Sequence, residues 1–103
     1  MPDAEGHPDV AEMELRSVLS ALADDHRRLV IVTLIGQPED TERTCLSFGL
    51  PVSKSTLTHH FRVLRESGLI KQVDRGNSRK VRLRRDDIEE RFPGLLTLLA
   101  KEN

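Results

Sequence analysis

Tryptophan and tyrosine are absent from this 103-residue chain, and phenylalanine occurs only three times. With so few aromatic faces there is little from which to build a stacking platform for single-stranded nucleic acid. One cysteine cannot close an internal disulfide, which fits a reducing cytoplasm. No apolar run is long enough to span a bilayer, and the N-terminus MPDAEGHPDV is acidic and polar, unlike a signal segment. The expected setting is therefore cytoplasmic, with no membrane partner. Also missing are a glycine-rich phosphate loop, a nucleophile motif and a pair of carboxylates in a plausible pocket. An enzyme is the poorest of the readings, since Ser55 and His59 one helical turn apart prove little. No repeat or low-complexity tract is seen, and the length suits one domain.

Net charge is nearly absent too, at −1, but the charges are segregated. Between Val52 and Arg85 ten Lys and Arg face only Glu66 and Asp74, a local +8; the rest of the chain carries −9. A basic block between acidic flanks is the footprint of a phosphate-binding surface.

Inside that block lies Leu50 to Ile70, LPVSKSTLTHHFRVLRESGLI. Leu57, Phe61 and Leu64 recur at helical spacing and mark an inward stripe. Ser55, Thr58, His59 and Arg62 form an outward row that is short, polar and rich in hydrogen-bonding groups. Such a row is equipped to read base edges in a major groove, so this is the candidate DNA recognition helix. Ser53 caps it and Ser67-Gly68 ends it.

The remaining chain predicts a mainly α fold with a small β-hairpin. Residues 1–9 carry two prolines, a glycine and three acids and are expected to be a flexible tail, with the domain proper at 10–103. A first helix is expected over Val10–Ala23. Asp24 or Asp25 caps a second, with Leu29, Val30, Leu34 and Ile35 inward and Gly36 at its end. After a turn at Gln37–Asp40, Thr41 is expected to cap a third helix reaching about Phe48, completing a helix-turn-helix. Residues 69–83 alternate loosely around Asp74-Arg75-Gly76-Asn77-Ser78, which predicts a hairpin, a wing beside the recognition helix. A leucine-rich helix from Asp86 to Asn103 is broken or kinked at Pro93-Gly94. Leu15, Val18 and Leu19, with Leu95, Leu96 and Leu99, are expected to form a dimer interface between terminal helices.

The run LSALADDHRRLVIVTLI, then SKSTLTHHFRVLRESGL and the wing VDRGNSRKVRLR, resembles the ArsR-type winged-helix transcriptional regulators over about residues 15 to 85. Leu19 to Arg27 or Arg28 corresponds to that family's L-x-x-L-A-D-x-x-R opening, and Ser53–Leu69 to its S-H-H-containing recognition segment. The resemblance implies a dimeric repressor that leaves its operator on sensing a metal, a thiol oxidant or another signal. The family's metal ligands do not carry over. Cys45 stands alone where a Cys-x-Cys pair is needed, and the terminal acids Asp86, Asp87, Glu89 and Glu90 come without histidine. His7, His26, His59 and His60 form no obvious chelate: His59 and His60 are adjacent on a helix and point in different directions, and His60 reads as a packing residue.

The sequence therefore predicts a winged helix-turn-helix regulator of double-stranded DNA, binding an operator that is an inverted repeat, as a homodimer. Ser55, Thr58, His59 and Arg62 contact bases. Lys54, Thr56, Arg65, Arg75, Asn77, Arg79 and Lys80 hold the backbone. No cofactor or metal is expected, Cys45 is the one candidate redox thiol, and the effector is unidentified. The competing reading is a winged-helix module that binds protein; apolar anchors on the outward row would mark it, and Ser, Thr, His and Arg stand there instead.

Overall fold

The computed structural model describes residues 2–102, with α1 at Leu15–Ala23, α2 at Asp25–Ile35, β1 at Arg43–Thr44 and α3 at Lys54–Ser67. The wing strands β2 (Ile70–Arg75) and β3 (Ser78–Leu83) follow, then α4 (Arg85–Arg91) and α5 (Leu95–Glu102). Met1 and Asn103, the outer ends of the expected tail and terminal helix, lie outside these residues. None of the described helices is long and apolar enough to cross a membrane.

Local signals set most element ends. Asp24 closes α1 and caps α2, its carboxylate accepting the Arg27 N–H at 3.0 Å. Ser53 caps α3 by accepting the Thr56 N–H at 3.2 Å. Gly68 ends that helix at φ 93°, where the N–H groups of Gly68 and Leu69 turn back onto the carbonyls of Arg65 and Leu64, both at 3.1 Å. Only glycine fits there, because a Cβ would lie 2.7 Å from Cγ of Met13. The wing turn is Gly76-Asn77, with Gly76 at φ 67° in the first turn position. Arg75 pairs with Ser78 and Ile70 with Leu83, so the hairpin register is regular throughout.

The sheet is antiparallel, in the order β1-β3-β2. Its first strand corrects the sequence reading: Arg43 and Thr44, expected in a third helix, pair with Val81 and Lys80. The open side of β3 takes a partner strand, and that non-local pairing overrides weak local helical preference. Only a single 3-10 turn, Cys45–Phe48, survives of the expected helix. At the other end, the first helix starts at Leu15 and follows a separate 3-10 turn at Val10–Glu12. The expected break at Pro93-Gly94 is realised, dividing the C-terminal segment into α4 and α5.

One apolar core joins these elements. Val18 and Leu22 of α1, Ile31 and Leu34 of α2, Phe61 and Leu64 of α3, and Ile88 and Leu96 of the last two helices are all buried in it. Three expectations fall here. Val18 and Leu96, assigned to a dimer interface, are 0% and 6% exposed within a single chain, so the core already uses them. Leu29, expected inward, is exposed. The segment ahead of α1 is packed on the domain: His7 and Pro8 are buried, and Arg84 donates to the Pro8 carbonyl at 2.8 Å.

Candidate nucleic-acid interface

Helix α3 sorts its residues by face. His60, Phe61, Leu64 and Ser67 are buried and Leu57 is half-buried. Ser55, Thr58, His59 and Arg62 are all exposed, so the four residues expected to touch bases share one open face. The Thr58 hydroxyl donates to the Lys54 carbonyl at 3.0 Å, leaving its lone pairs outward. Nη2 of Arg62 lies 3.4 Å from Nδ1 of His59. Lys54 is exposed at the first residue of the helix, and half-buried Thr56 sits behind the cap, receiving a hydrogen bond from the Ser53 hydroxyl at 3.0 Å.

The wing is more constrained than the raw charge count implies. Arg75 forms a two-pronged pair with Glu42, Nε to Oε1 at 2.9 Å and Nη2 to Oε2 at 2.6 Å. Those hydrogen bonds hold the Glu42 carboxyl below its ordinary range and push the guanidinium higher. Arg79 pairs with Glu5 at 3.0 Å. Asn77 is exposed at the tip and Lys80 is half-buried on β3. Arg65 does not face outward as a phosphate ligand would: it is half-buried and donates to Oε1 of Gln72 at 2.7 Å. Further down, Arg85 donates to the carbonyls of Leu34 and Gln37, both at 3.2 Å, and so serves the end of α2. Much of the basic block is thus engaged within the domain.

Glu5 reaches the wing because the N-terminal segment is folded onto the free edge of the sheet. Nε2 of His7 accepts the Gln72 N–H at 3.0 Å, an edge group of β2 that would otherwise need solvent. Its Nδ1 donates to Asp3 at 2.9 Å, and the His7 N–H binds the same carboxylate. That backbone hydrogen bond leads the set of interactions that bring Asp3 down to about 2. Sequence spacing could not show these partners, since Glu42 and Glu5 lie 33 and 74 residues from the arginines they meet.

Among the described residues, one set of metal-type donors comes together, as His60 meets Asp24 and His26 with ligand atoms within 4.8 Å of one another. The arrangement does not fit a resident metal. Nη1 of Arg27 lies 3.1 Å from Nδ1 of His60, and a guanidinium only donates, so Nδ1 is the acceptor and Nε2 carries the proton. A cation on Nε2 would need that proton moved onto Nδ1, against a positive group that also donates to the Ala21 carbonyl at 2.8 Å. Cys45 is half-buried, and burial pushes its thiol up, away from the thiolate that metal binding or redox sensing requires.

Similarity to known proteins bears on this geometry. Residues 24–72 match the model for bacterial regulatory proteins of the arsR family, a span containing Asp24, Arg27 and all of α3. The chain is 32% identical over 84 residues to the uncharacterized HTH-type transcriptional regulator YceK of Bacillus subtilis (strain 168), covering 80% of this chain and 82% of that protein. Among solved structures, an ArsR-like transcriptional regulator from Rhodococcus sp. RHA1 superposes with a TM-score of 0.59 at 27% identity, covering 84% of this chain and 80% of its own. A structure described as a possible transcriptional regulator for arsenical resistance gives 0.57 at 26% identity, over 82% of this chain and 94% of that one.

Proposed function

This chain belongs to the ArsR family of bacterial transcriptional regulators, and from that premise we propose that it is a dimeric repressor whose α3 helices read an inverted-repeat operator. The observation that carries the proposal is the division of α3 into a buried apolar face and an exposed row of Ser55, Thr58, His59 and Arg62. These side chains present hydroxyl, imidazole and guanidinium groups, the complement of base edges in a major groove. The row offers no apolar anchor of the kind a protein-binding helix needs at the centre of its interface.

Lys54 at the start of α3 and Asn77 and Lys80 on the wing hold phosphates, with Arg75 and Arg79 joining them as they exchange carboxylate partners for DNA. Leu15 and Leu19 are 51% and 53% exposed one helical turn apart on α1, and Leu98 on α5 is 54% exposed. Those leucines, rather than the buried Val18 and Leu96, supply the apolar contact between subunits, beside half-buried Leu95 and Leu99. Dissociation from the operator follows a signal whose chemistry is not written in the residues that the family uses for metals.

Selection from random double-stranded DNA with purified, reduced protein tests this reading. Recovery of an inverted repeat with half-sites about 10 base pairs apart is the expected result. Retention of DNA without sequence enrichment would leave phosphate attraction alone and remove the assignment of base contacts.

A further inference from the structure

His60 is the one buried titratable side chain on the recognition helix, and its surroundings are specific. It points away from the DNA-facing row into the junction where α1 ends and α2 begins. Arg27, at that junction, is spread over three acceptors from two helices. Its Nε donates to the Ala21 carbonyl at 2.8 Å, Nη2 to the Ser20 carbonyl at 3.4 Å, and Nη1 to Nδ1 of His60 at 3.1 Å. Two of these anchors belong to the last turns of α1, where carbonyls lack partners within the helix. The third belongs to α3. One planar guanidinium thus ties the end of α1 to the middle of the recognition helix, in a fork that a lysine could not reproduce.

We propose that Arg27 and His60 are positioning residues for DNA binding: the guanidinium locks α3 to the end of α1 only while Nδ1 of His60 carries no proton. The inference rests on α3 being the recognition helix. A proton on Nδ1 would turn the one acceptor into a donor and set two cations in contact. The other groups facing the ring, among the described residues, do not offset this fully. Asp24 favours the proton, but its Oδ1 is 3.8 Å from Nε2 and already accepts the Arg27 N–H. His26 on α2 and His59 on α3, with ring centres 5.9 and 6.2 Å away, add repulsion when charged. From α1 only the Ser20 and Ala21 carbonyls enter, through Arg27. Burial holds His60 below its ordinary value of 6.5, so the neutral form is the native one. A group with its folded pKa depressed supports the fold above the unfolded value and withdraws that support as pH falls through the folded one. The lock therefore holds at neutral pH and opens as acidification carries His60 through its depressed pKa, below the ordinary 6.5.

Comparison with a variant at position 60 isolates the contribution of His60 from that of every other group that titrates. Asparagine at position 60 places an amide oxygen close to where Nδ1 stands and cannot titrate.

The experiment measures dissociation constants between pH 5.5 and 7.5 for wild type, His60→Asn and Arg27→Lys, using the duplex recovered by selection. Affinity of the wild type, taken relative to His60→Asn at each pH, should fall at least fivefold from pH 7.5 to 5.5. His60→Asn should match wild type at pH 7.5 within about threefold, and Arg27→Lys should be at least tenfold weaker there. Identical pH profiles for wild type and His60→Asn would overturn the proposal. Two measurements need no DNA. Nitrogen-15 spectra of the wild type at pH 7.5 should show His60 protonated on Nε2 alone, and amide protection in α3 should drop relative to α2 as acidification protonates His60. A proton on Nδ1 at neutral pH, or unchanged protection, would sink the lock even if a variant failed to fold. Failure to bind any duplex, with the tautomer and protection as expected, would instead count against α3 as the reading helix.

Discussion

Arg62 and His59 stand three residues apart on the open face of α3, the guanidinium 3.4 Å from the imidazole. Their type and spacing suit base contacts, because a guanidinium fork matches the paired acceptors of guanine. Arg62→Ala is expected to cost about 1–3 kcal/mol of operator binding and to relax preference at one position in each half-site. Binding to a panel of single-base operator variants checks this. Uniform weakening across the panel would reassign Arg62 to phosphate. The neighbouring His60 shows how one helical position changes a residue's duty. His59 is exposed while His60 is buried against Arg27, although the two are adjacent and chemically identical. The sequence pattern separated them correctly by distance from the Leu57, Phe61 and Leu64 stripe. It could not name Arg27 as the partner, 33 residues away.

At the scale of elements, the wing is a basic hairpin partly neutralised by acids from elsewhere in the chain. Each phosphate that reaches Arg79 must displace Glu5, and each that reaches Arg75 must displace Glu42. Exposed ion pairs are weak and are screened by salt. Glu5→Gln should therefore raise DNA affinity by a factor of at most about five at low ionic strength, with less gain at high salt. Arg79→Ala should weaken binding to all sequences alike and lower the slope of log K against log salt by about one. Titrations of both variants over a range of salt concentrations decide this, and an unchanged slope for Arg79→Ala would take the wing out of the interface. The hairpin itself was legible from Gly76-Asn77 and the flanking β-prone runs. β1 was not, since two residues gain strand character only by pairing with β3.

The whole molecule uses its leucines in two ways, and substitution separates them. Leu96 is buried in the core of the single chain, whereas Leu19 stands 53% exposed on α1. Leu96→Ala should destabilise the fold by about 2–5 kcal/mol, read from chemical denaturation. Leu19→Glu should leave the folded chain intact by circular dichroism but shift sedimentation from dimer to monomer and weaken operator binding at least tenfold. A Leu19→Glu protein that still sediments as a dimer would move the subunit interface away from α1. Heptad-like spacing cannot make this distinction, because Val18 and Leu19 both fit an apolar helix face until α2 and α3 pack against one side of α1.

Local spacing in the sequence carried the amphipathic recognition helix with its Ser53 and Gly68 ends, the wing turn and the break at Pro93-Gly94, while the family came from the resemblance of its motifs. The structural features depend on contacts within a few residues, where helical and strand periods are visible. The tertiary structure alone decided which charges remain free for DNA, which leucines remain exposed, and that residues 2–9 fold onto the wing rather than trail from it. It also decided that Arg27 meets His60. Such pairings join residues tens of positions apart, and their strength comes from burial and geometry that exist only once the helices have packed.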